Sequence, residues 1–597
     1  MPIDLLPVPK KLTRLGGHSR SEAFRTELTQ LTRKEPGAYH LRIDASGTLI
    51  RAADEEGFFY AAQTLAQIDS QFPDRRPCLD IVDWPDFPVR GFYHDVTRGK
   101  VPTLETLLEL ADTCAHYKLN HLELYIEHTY AFRNHPEVWK DASPLTADEI
   151  RALDEHCARL HIDLVPSFST FGHFYTWIHR KFPELNELER DVSGDPFSWR
   201  DRMAHYTLDC RNPRSFRLVK ELLEEVLPLF RSRHFNICCD ETFDLGKGRN
   251  KALADKVGVG RLYVDFLKKI MSVVRKAGKT PLFWGDVIGA HPEVLSEVPR
   301  DAIALDWDYS PTLRRTKARL MAGARRAFYV CPGVSSWNRW LPDYTTAHQN
   351  ITAMAKLGRE TGATGFLNTD WGDYGHINTL GPTLPGLILG ACCAWTATDP
   401  GPAKFDATVS RLALGDPGGR LAGLLRAATH AVRADWRNVA NDVQRPGNFQ
   451  EDRYDPVTGL PHETFKWPAR DHAAALRKIA ALEKRILSVL SRPPLKGSLL
   501  AEEIAVGLLG LRTMEEYHLL CHRGAGRTKS KAPSAATVES HLRELDRRLA
   551  AVWRKRNKPS EYYRIREVFR GAVRRCRQFA RMEKPTAGKP ARRPRAS

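Results

Sequence analysis

No stretch of the sequence approaches the roughly 18 uninterrupted apolar residues that a membrane-spanning helix needs. The opening MPIDLLPVPKKLTRLGG lacks the apolar segment and cleavage site of a secretory leader. The expectation is therefore a cytoplasmic protein without a membrane partner. The eleven cysteines include no C-x-x-C pair, are odd in number and lie partly inside apolar runs. They read as buried free thiols rather than as a disulfide framework or a zinc site. A glycine-rich phosphate loop is also missing after the first strand of the repeating region, which argues against a doubly wound nucleotide-binding sheet. Acidic residues are scarce at one end. Residues 541–597 hold 19 Lys or Arg and 5 Asp or Glu, so most of the net charge of +18 belongs there and the rest is nearly neutral.

What is present is a folded chain, 42% hydrophobic and 27% charged, whose 597 residues exceed what one core usually fills. AYHLRIDASGTLIRAA alternates as a hairpin with Ser46-Gly47 at its turn, and an amphipathic helix over 55–68 follows. Beyond the proline-rich PCLDIVDWPDFP, short apolar runs alternate with helical stretches eight times. The predicted strands are 89–96, 121–127, 163–169, 234–241, 280–288, 302–309, 327–334 and 365–371. Eight such units in about 310 residues suit an α/β fold of the (β/α)8 TIM-barrel type. From about Phe405 only helical periodicity remains, over 407–440, 472–490, 499–522, 534–554 and 561–581. The expected organisation is a small α+β domain (1–87), a catalytic barrel (88–400), a helical domain (401–583) and a basic, disordered tail (584–597).

In such a barrel, functional groups gather where strands end. The eight ends carry His94-Asp95 and Arg98, Glu127-His128, Ser167 to His173, Asp240-Glu241, Trp284 and Asp286, Asp306-Trp307-Asp308-Tyr309, Trp337, and Asp370-Trp371-Gly372-Asp373-Tyr374. Indoles that cover the C–H faces of a pyranose, interleaved with carboxylates and an arginine that take its hydroxyls, suit a sugar. Two adjacent charges ending the apolar strand HFNICC cost desolvation unless a site uses them.

VRGFYHDVTRGKVPTLETLLELADTCAHYKLNHLELYI, LVPSFSTFGHFYTW, HFNICCDET and FWGDVI, in this order, resemble the successive strand motifs of the glycoside hydrolase family 20 barrel. The hairpin and YAAQTLAQI helix before them resemble the small domain that precedes it. The resemblance covers about residues 38–398. It implies exo-acting removal of terminal β-linked N-acetylhexosamine (GlcNAc or GalNAc) from an oligosaccharide or glycoconjugate, without a cofactor or metal. The sugar's own acetamide is then the nucleophile, the exception to the two-carboxylate rule. The resemblance casts Glu241 as general acid and base, Asp240 as the group orienting the acetamide, and Arg98 as the holder of ring hydroxyls. His173 would support the acid, with Trp284 and Trp307 walling the acetamide pocket.

The chain also departs from the family pattern. Glu127-His128, Ser167, Ser169 and Ala397 replace its further acidic positions, and strand seven offers Trp337 and Asn338 where the acetamide-polarising tyrosine is expected. NTDWGDYGH supplies another cluster, so Asp370 and Asp373, with Trp371, are expected to recognise O4 and O6. Four competing readings stand. The first is a retaining glycosidase with Asp286 or Asp308 as enzymic nucleophile. The second is a metal-dependent hydrolase or deacetylase built on His94, Asp95, His128, His173 and Asp240. The others are a sugar-binding protein without activity, and nucleic-acid binding through the basic C-terminus, for which no recognised motif is present.

Overall fold

The computed structural model describes residues 3–31, 33, 35–204, 206–444, 460–528 and 533–582. Strands β1 (Lys11–Ser19), β2 (Phe24–Leu28), β3 (Tyr39–Asp44), β4 (Gly47–Ala52) and β5 (Arg76–Asp83) form a sheet ordered β1-β5-β3-β4-β2. The helix Glu55–Gln71 covers one face. Asp54 caps it by accepting the Gly57 amide, and Tyr60, Ala61, Leu65 and Ile68 recur at helical spacing to pack on Leu41, Ile43 and Ile81. Only the β3–β4 hairpin and this helix were legible in the sequence. β1 and β2 are almost wholly exposed, so they carry no alternation to read, and β5 runs through the first half of the proline-containing segment taken as a crossing.

Eight parallel strands close a barrel: β6 (Val89–Asp95), β7 (His121–Ile126), β8 (Asp163–Phe168), β9 (His234–Asn236), β10 (Thr280–Trp284), β11 (Ile303–Trp307), β12 (Phe328–Cys331) and β13 (Gly365–Asp370). The (β/α)8 expectation is met. The connecting helices begin where their caps predict: Thr103 accepts from Thr106 N at the head of Leu104–His116, and Thr146 and Glu149 form a reciprocal capping box on Ala147–Arg159.

Several strands are shorter than predicted, and the largest difference is at β9. It ends at Asn236 because Cys238, Cys239 and Glu241 take left-handed backbone angles, with φ of 56°, 64° and 49°. Ile237 N still donates to Leu282 O, and Trp284 N to Cys238 O, so the segment stays against β10 while it turns. β10 likewise stops at Trp284, and Asp286 opens the short helix Asp286–Ala290.

Side chains on alternate strand positions fill the barrel: Tyr93, Tyr125, Cys238, Leu282, Trp284, Leu305, Tyr329, Leu367 and Trp371 form one interior cluster. The outward positions pack on the surrounding helices. Trp395, at the end of the barrel's last helix Leu380–Trp395, joins the N-terminal core and donates its indole N–H to Asp83 at 2.9 Å.

The remaining described elements are helical: Pro402–Leu412, Leu421–Ala431, Trp436–Val443, Ala469–Leu490, Leu499–Gly524, Ala535–Arg556 and Tyr562–Met582. The segment read as one periodic stretch over 407–440 is three helices. Asp416 accepts the amides of Gly418, Arg420 and Leu421 and so turns the chain, and Asp435 caps the third helix. The predicted basic tail, 584–597, lies outside the described residues. All eleven cysteines are free and buried.

Candidate active site

Asp240 and Glu241 follow the turn after β9 and face opposite demands. Asp240 is buried, and its Oδ2 lies 3.2 Å from His173 Nε2, while its Oδ1 is buried without a hydrogen-bond partner. Glu241, whose side chain is 24% exposed, has its carboxylate 3.7 Å from the same imidazole nitrogen. One carboxylate is thus held in place and the other faces the opening. Glu241 itself has a left-handed backbone, a strain that its surroundings must maintain.

His173 is placed by the residue before it. A Cβ on Gly172 would lie 2.5 Å from the Asp240 carbonyl oxygen, so only glycine lets the β8 loop pass this close to the turn after β9. Arg98 Nη2 lies 3.2 Å from His173 Nδ1; because a guanidinium can only donate, this bond puts the ring proton on Nε2, facing Asp240. Burial opposes protonation of the ring, but the Asp240 charge and hydrogen bond outweigh it and His173 titrates above its ordinary value.

Arg98 is a hub. It lies 3.3 Å from Asp95, 3.3 Å from Glu127 and 3.2 Å from Asp373, and its guanidinium packs 5.0 Å from the Tyr125 ring and 4.9 Å from the Trp371 ring. Asp95 fixes the loop that carries it, accepting the amides of Thr97 and Arg98 through one oxygen and that of Gly372 through the other. Burial raises Asp373 to about 6 in spite of the Arg98 charge. Burial would also raise Glu127, but Arg202, at 2.9 Å, and Arg98 hold it down at about 2.

Asp286 closes the other side. Its Oδ2 accepts the Glu241 backbone N–H at 2.9 Å and its Oδ1 is buried without a partner. Burial first, and then the Asp240 charge, push its pKa up to about 7.

The aromatic wall is continuous. Trp284 lies 5.8 Å from Trp371, and the Trp371 indole donates to the Tyr309 hydroxyl at 2.6 Å. Tyr309 in turn stacks on Trp307 at 5.3 Å and meets Trp337 at 4.9 Å. The Trp284 Nε1 is buried and unpartnered.

Of the residues named from the sequence, Asp240, Glu241, Arg98, His173, Asp286, Asp373 and the four indoles are thus joined around one mouth. Asp370 is not. It occupies an outward position on β13, bonded to His94 Nδ1 at 3.0 Å and to Ser336, behind the barrel wall. The expectation that it recognises O4 or O6 is corrected by strand alternation: Trp371 points inward, so its neighbour cannot. Asp308 is a turn residue accepting the amides of Ser310 and Arg314.

The five residues of the metal reading do not converge either. His94 lies with Asp370, His173 with Asp240, and His128 behind the site, 3.3 Å from Glu561. Among the described residues two triads bring ligand atoms within 4.8 Å of one another, His94–Asp370–His376 and His173–Asp240–Glu241.

Sequence reasoning gave no role to Tyr309, Arg202 and Glu561, and cast Asp95 only as a ligand in the metal reading. Tyr309 stood in view in DWDY, but the tyrosine was sought on the next strand; Arg202 and Glu561 carry no local signal.

The sequence model of the glycosyl hydrolase family 20 catalytic domain matches residues 87–330, and that of the family's domain 2 matches residues 5–84. The chain belongs to glycosyl hydrolase family 20. Among relatives of this family 20 chain, the β-hexosaminidase of Akkermansia muciniphila is 29% identical over 394 residues, 57% of this chain and 78% of that protein. The β-hexosaminidase of Porphyromonas gingivalis is 25% identical over 295 residues, 44% of this chain and 37% of that protein. The chain thus spans about four-fifths of the first relative and little more than a third of the second. The solved β-N-acetylhexosaminidase of Bacteroides fragilis shares the fold at a TM-score of 0.54 and 16% identity, over 68% of this chain and 94% of that one. Flavobacterium johnsoniae chitobiase shares it at 0.57 and 15% identity, over 96% and 99%. The match to the catalytic domain ends in β12, so Trp337, Trp371 and Asp373 lie outside the matched segment.

Proposed function

We propose that the protein is an exo-acting β-N-acetylhexosaminidase that removes a terminal N-acetylhexosamine with the sugar's acetamide as nucleophile. The observation that carries this is the state of the carboxylates around the turn after β9. Asp240 and Glu241 bring their carboxylates to the same imidazole nitrogen of His173, with oxygens within 4.8 Å of each other, so they meet a sugar from one side, whereas an acid and an enzymic nucleophile flank the anomeric carbon from opposite sides. Asp286, the third carboxyl, is held at about 7, so it is largely protonated and a poor nucleophile at mildly acidic pH. The buried, partnerless Oδ1 of Asp240 is an acceptor waiting for a donor, and the acetamide N–H is one.

In this reading the sugar lies on the Trp284–Trp371–Tyr309 wall, with ring hydroxyls toward Arg98 and Asp373. Asp240 takes the acetamide N–H, turns its carbonyl oxygen toward the anomeric carbon and stabilises the positive oxazolinium ion that forms. Glu241 protonates the departing oxygen and then removes a proton from the water that opens the ring. In this reading the Tyr309 hydroxyl donates to the acetamide oxygen, in place of the residue sought on the seventh strand. The eleven free thiols support placing the protein in the reducing cytoplasm.

A panel of p-nitrophenyl glycosides tests the reading: turnover of the N-acetylglucosaminide or N-acetylgalactosaminide with almost none of the glucoside or galactoside is expected. Mass spectrometry after incubation with a 2-fluoro glycosyl fluoride tests the mechanism. A stable adduct on Asp286 or any other carboxylate would refute substrate assistance.

A further inference from the structure

Behind Arg98 a line of buried charges leaves the barrel. Arg98 Nε lies 3.3 Å from Glu127 Oε1, and the other oxygen of Glu127 lies 2.9 Å from Arg202 Nη2. Arg202 Nη1 lies 3.0 Å from Glu561 Oε2, at the head of the helix Tyr562–Met582. Arg98, Glu127, Arg202 and Glu561 are each less than 5% exposed. Two arginines and two glutamates alternate, each glutamate lying between two arginines once Arg564 on the far oxygen of Glu561 is included, so loss of one carboxylate leaves its arginines competing for the other.

The helical end is anchored on both sides. Glu561 N donates to Gly99 O at 3.2 Å, beside Arg98 itself, and Arg564 returns a bond to Glu561 Oε1 at 2.8 Å. Arg202 also donates to the carbonyl of Thr97 at 2.9 Å, the residue before Arg98. The family match ends at residue 330, so the matched segment does not include this partner.

We propose that Glu561 is a positioning residue for sugar binding: acting through Arg202 and Glu127, it fixes the guanidinium of Arg98 in the orientation that receives ring hydroxyls. The physical reason is charge matching in a dry place. Glu127 serves two arginines with two oxygens, and it can give one of them wholly to Arg98 only while Arg202 is satisfied elsewhere. Without the Glu561 charge, Arg202 draws on Glu127 with both its nitrogens, and Arg98 turns toward Asp95 and Asp373, its remaining carboxylate neighbours. The row rests on the proposed function only in naming a pyranose as the ligand.

The test uses the full chain carrying Glu561→Gln, Arg202→Met and the two together. Each is read by KM and kcat on the preferred p-nitrophenyl N-acetylhexosaminide, by thermal melting, and by tryptophan fluorescence titrated with free N-acetylglucosamine, since Trp371 packs on Arg98. Glu561→Gln should raise KM and weaken sugar binding about 3- to 30-fold, the range of couplings carried through packed networks, with kcat changed less. Glu561→Asp should recover part of the affinity. Because Glu561 acts through Arg202, the double variant should match Arg202→Met alone in KM rather than add to it. The double variant removes both charges together, so it remains testable if Glu561→Gln fails to fold. Variants that melt lower but keep KM and sugar affinity would overturn the proposal in favour of a purely structural bridge, and so would additive losses. A wild-type protein inactive on both N-acetylhexosaminides, with sugar binding still weakened by Glu561→Gln, would overturn the substrate reading and leave the row standing.

Discussion

Asp286 gives a stability prediction whose sign and size both follow from its surroundings. Burial beside the Asp240 charge raises it to about 7, against about 3.9 for a free aspartate, and each pH unit of difference corresponds to about 1.4 kcal/mol. Below about pH 4 the carboxyl is protonated in the folded and unfolded chain alike and contributes no slope. Between pH 4 and 7 the unfolded chain releases this proton while the folded one keeps it. The folded state then binds more protons, and stability falls as pH rises, levelling off above pH 7. From pH 5 to pH 8 the loss from this one group is about 3 kcal/mol. Asparagine cannot ionise, and its Oδ1 can still accept the Glu241 amide, so Asp286→Asn should lack that slope. At pH 8 the variant should gain about 3 kcal/mol on the wild type relative to the same comparison at pH 5. Melting both proteins at the two pH values measures the double difference, in which groups remote from Asp286 cancel and the response of Asp240, whose charge faces it, remains. Parallel melting curves for the two proteins would refute the assignment of a high pKa to Asp286, and with it the argument that this carboxyl is too protonated to be the nucleophile.

Glu241→Gln should cut turnover by about two to four decades, the usual cost of a lost proton donor, and by less for nitrophenyl than for sugar leaving groups; equal losses for both would remove the acid role. Asp240→Asn should depress kcat far more than KM, because its charge acts on the oxazolinium ion rather than on bound substrate, and a pure KM effect would reassign it to simple binding. Tyr309→Phe should lower kcat by about tenfold or more if its hydroxyl donates to the acetamide oxygen; unchanged kinetics would return the search to the seventh-strand loop. Asp370→Asn, behind the wall, should leave the ranking of the gluco- and galacto-configured substrates unchanged, whereas Asp373→Asn should alter it, as comparative kcat/KM values on the two N-acetylhexosaminides would reveal.

The barrel was legible because its strands are buried on both faces and read as apolar runs between helical periods, a signal that repeats eight times. The catalytic turn was legible for a different reason: HFNICC ends in two charges, and charge at the end of a buried strand needs a cause. What failed was anything that depends on direction. Asp370 ends β13 and Asp373 lies three residues on, yet strand alternation sends the first behind the wall while the second comes to lie beside Arg98. Likewise the strand around Asp240 was drawn too long, since left-handed angles at cysteine and glutamate have no sequence signature of the kind glycine gives. The Glu561–Arg202 pair spans 359 residues; no local window holds both partners.

That separation has a consequence for how the protein is made. The last barrel strand ends at Asp370, and Glu561 is translated some 190 residues later. At about 5–20 residues per second, this leaves a nascent barrel for roughly 10 to 40 s with Arg202 lacking its second carboxylate partner. Over that interval Arg202 has only Glu127, which it shares with Arg98, among the carboxylates of the row, and water has access where the helical end will later dock. Until Glu561 arrives, the newborn barrel carries the turn after β9 without the final counter-charge behind Arg98.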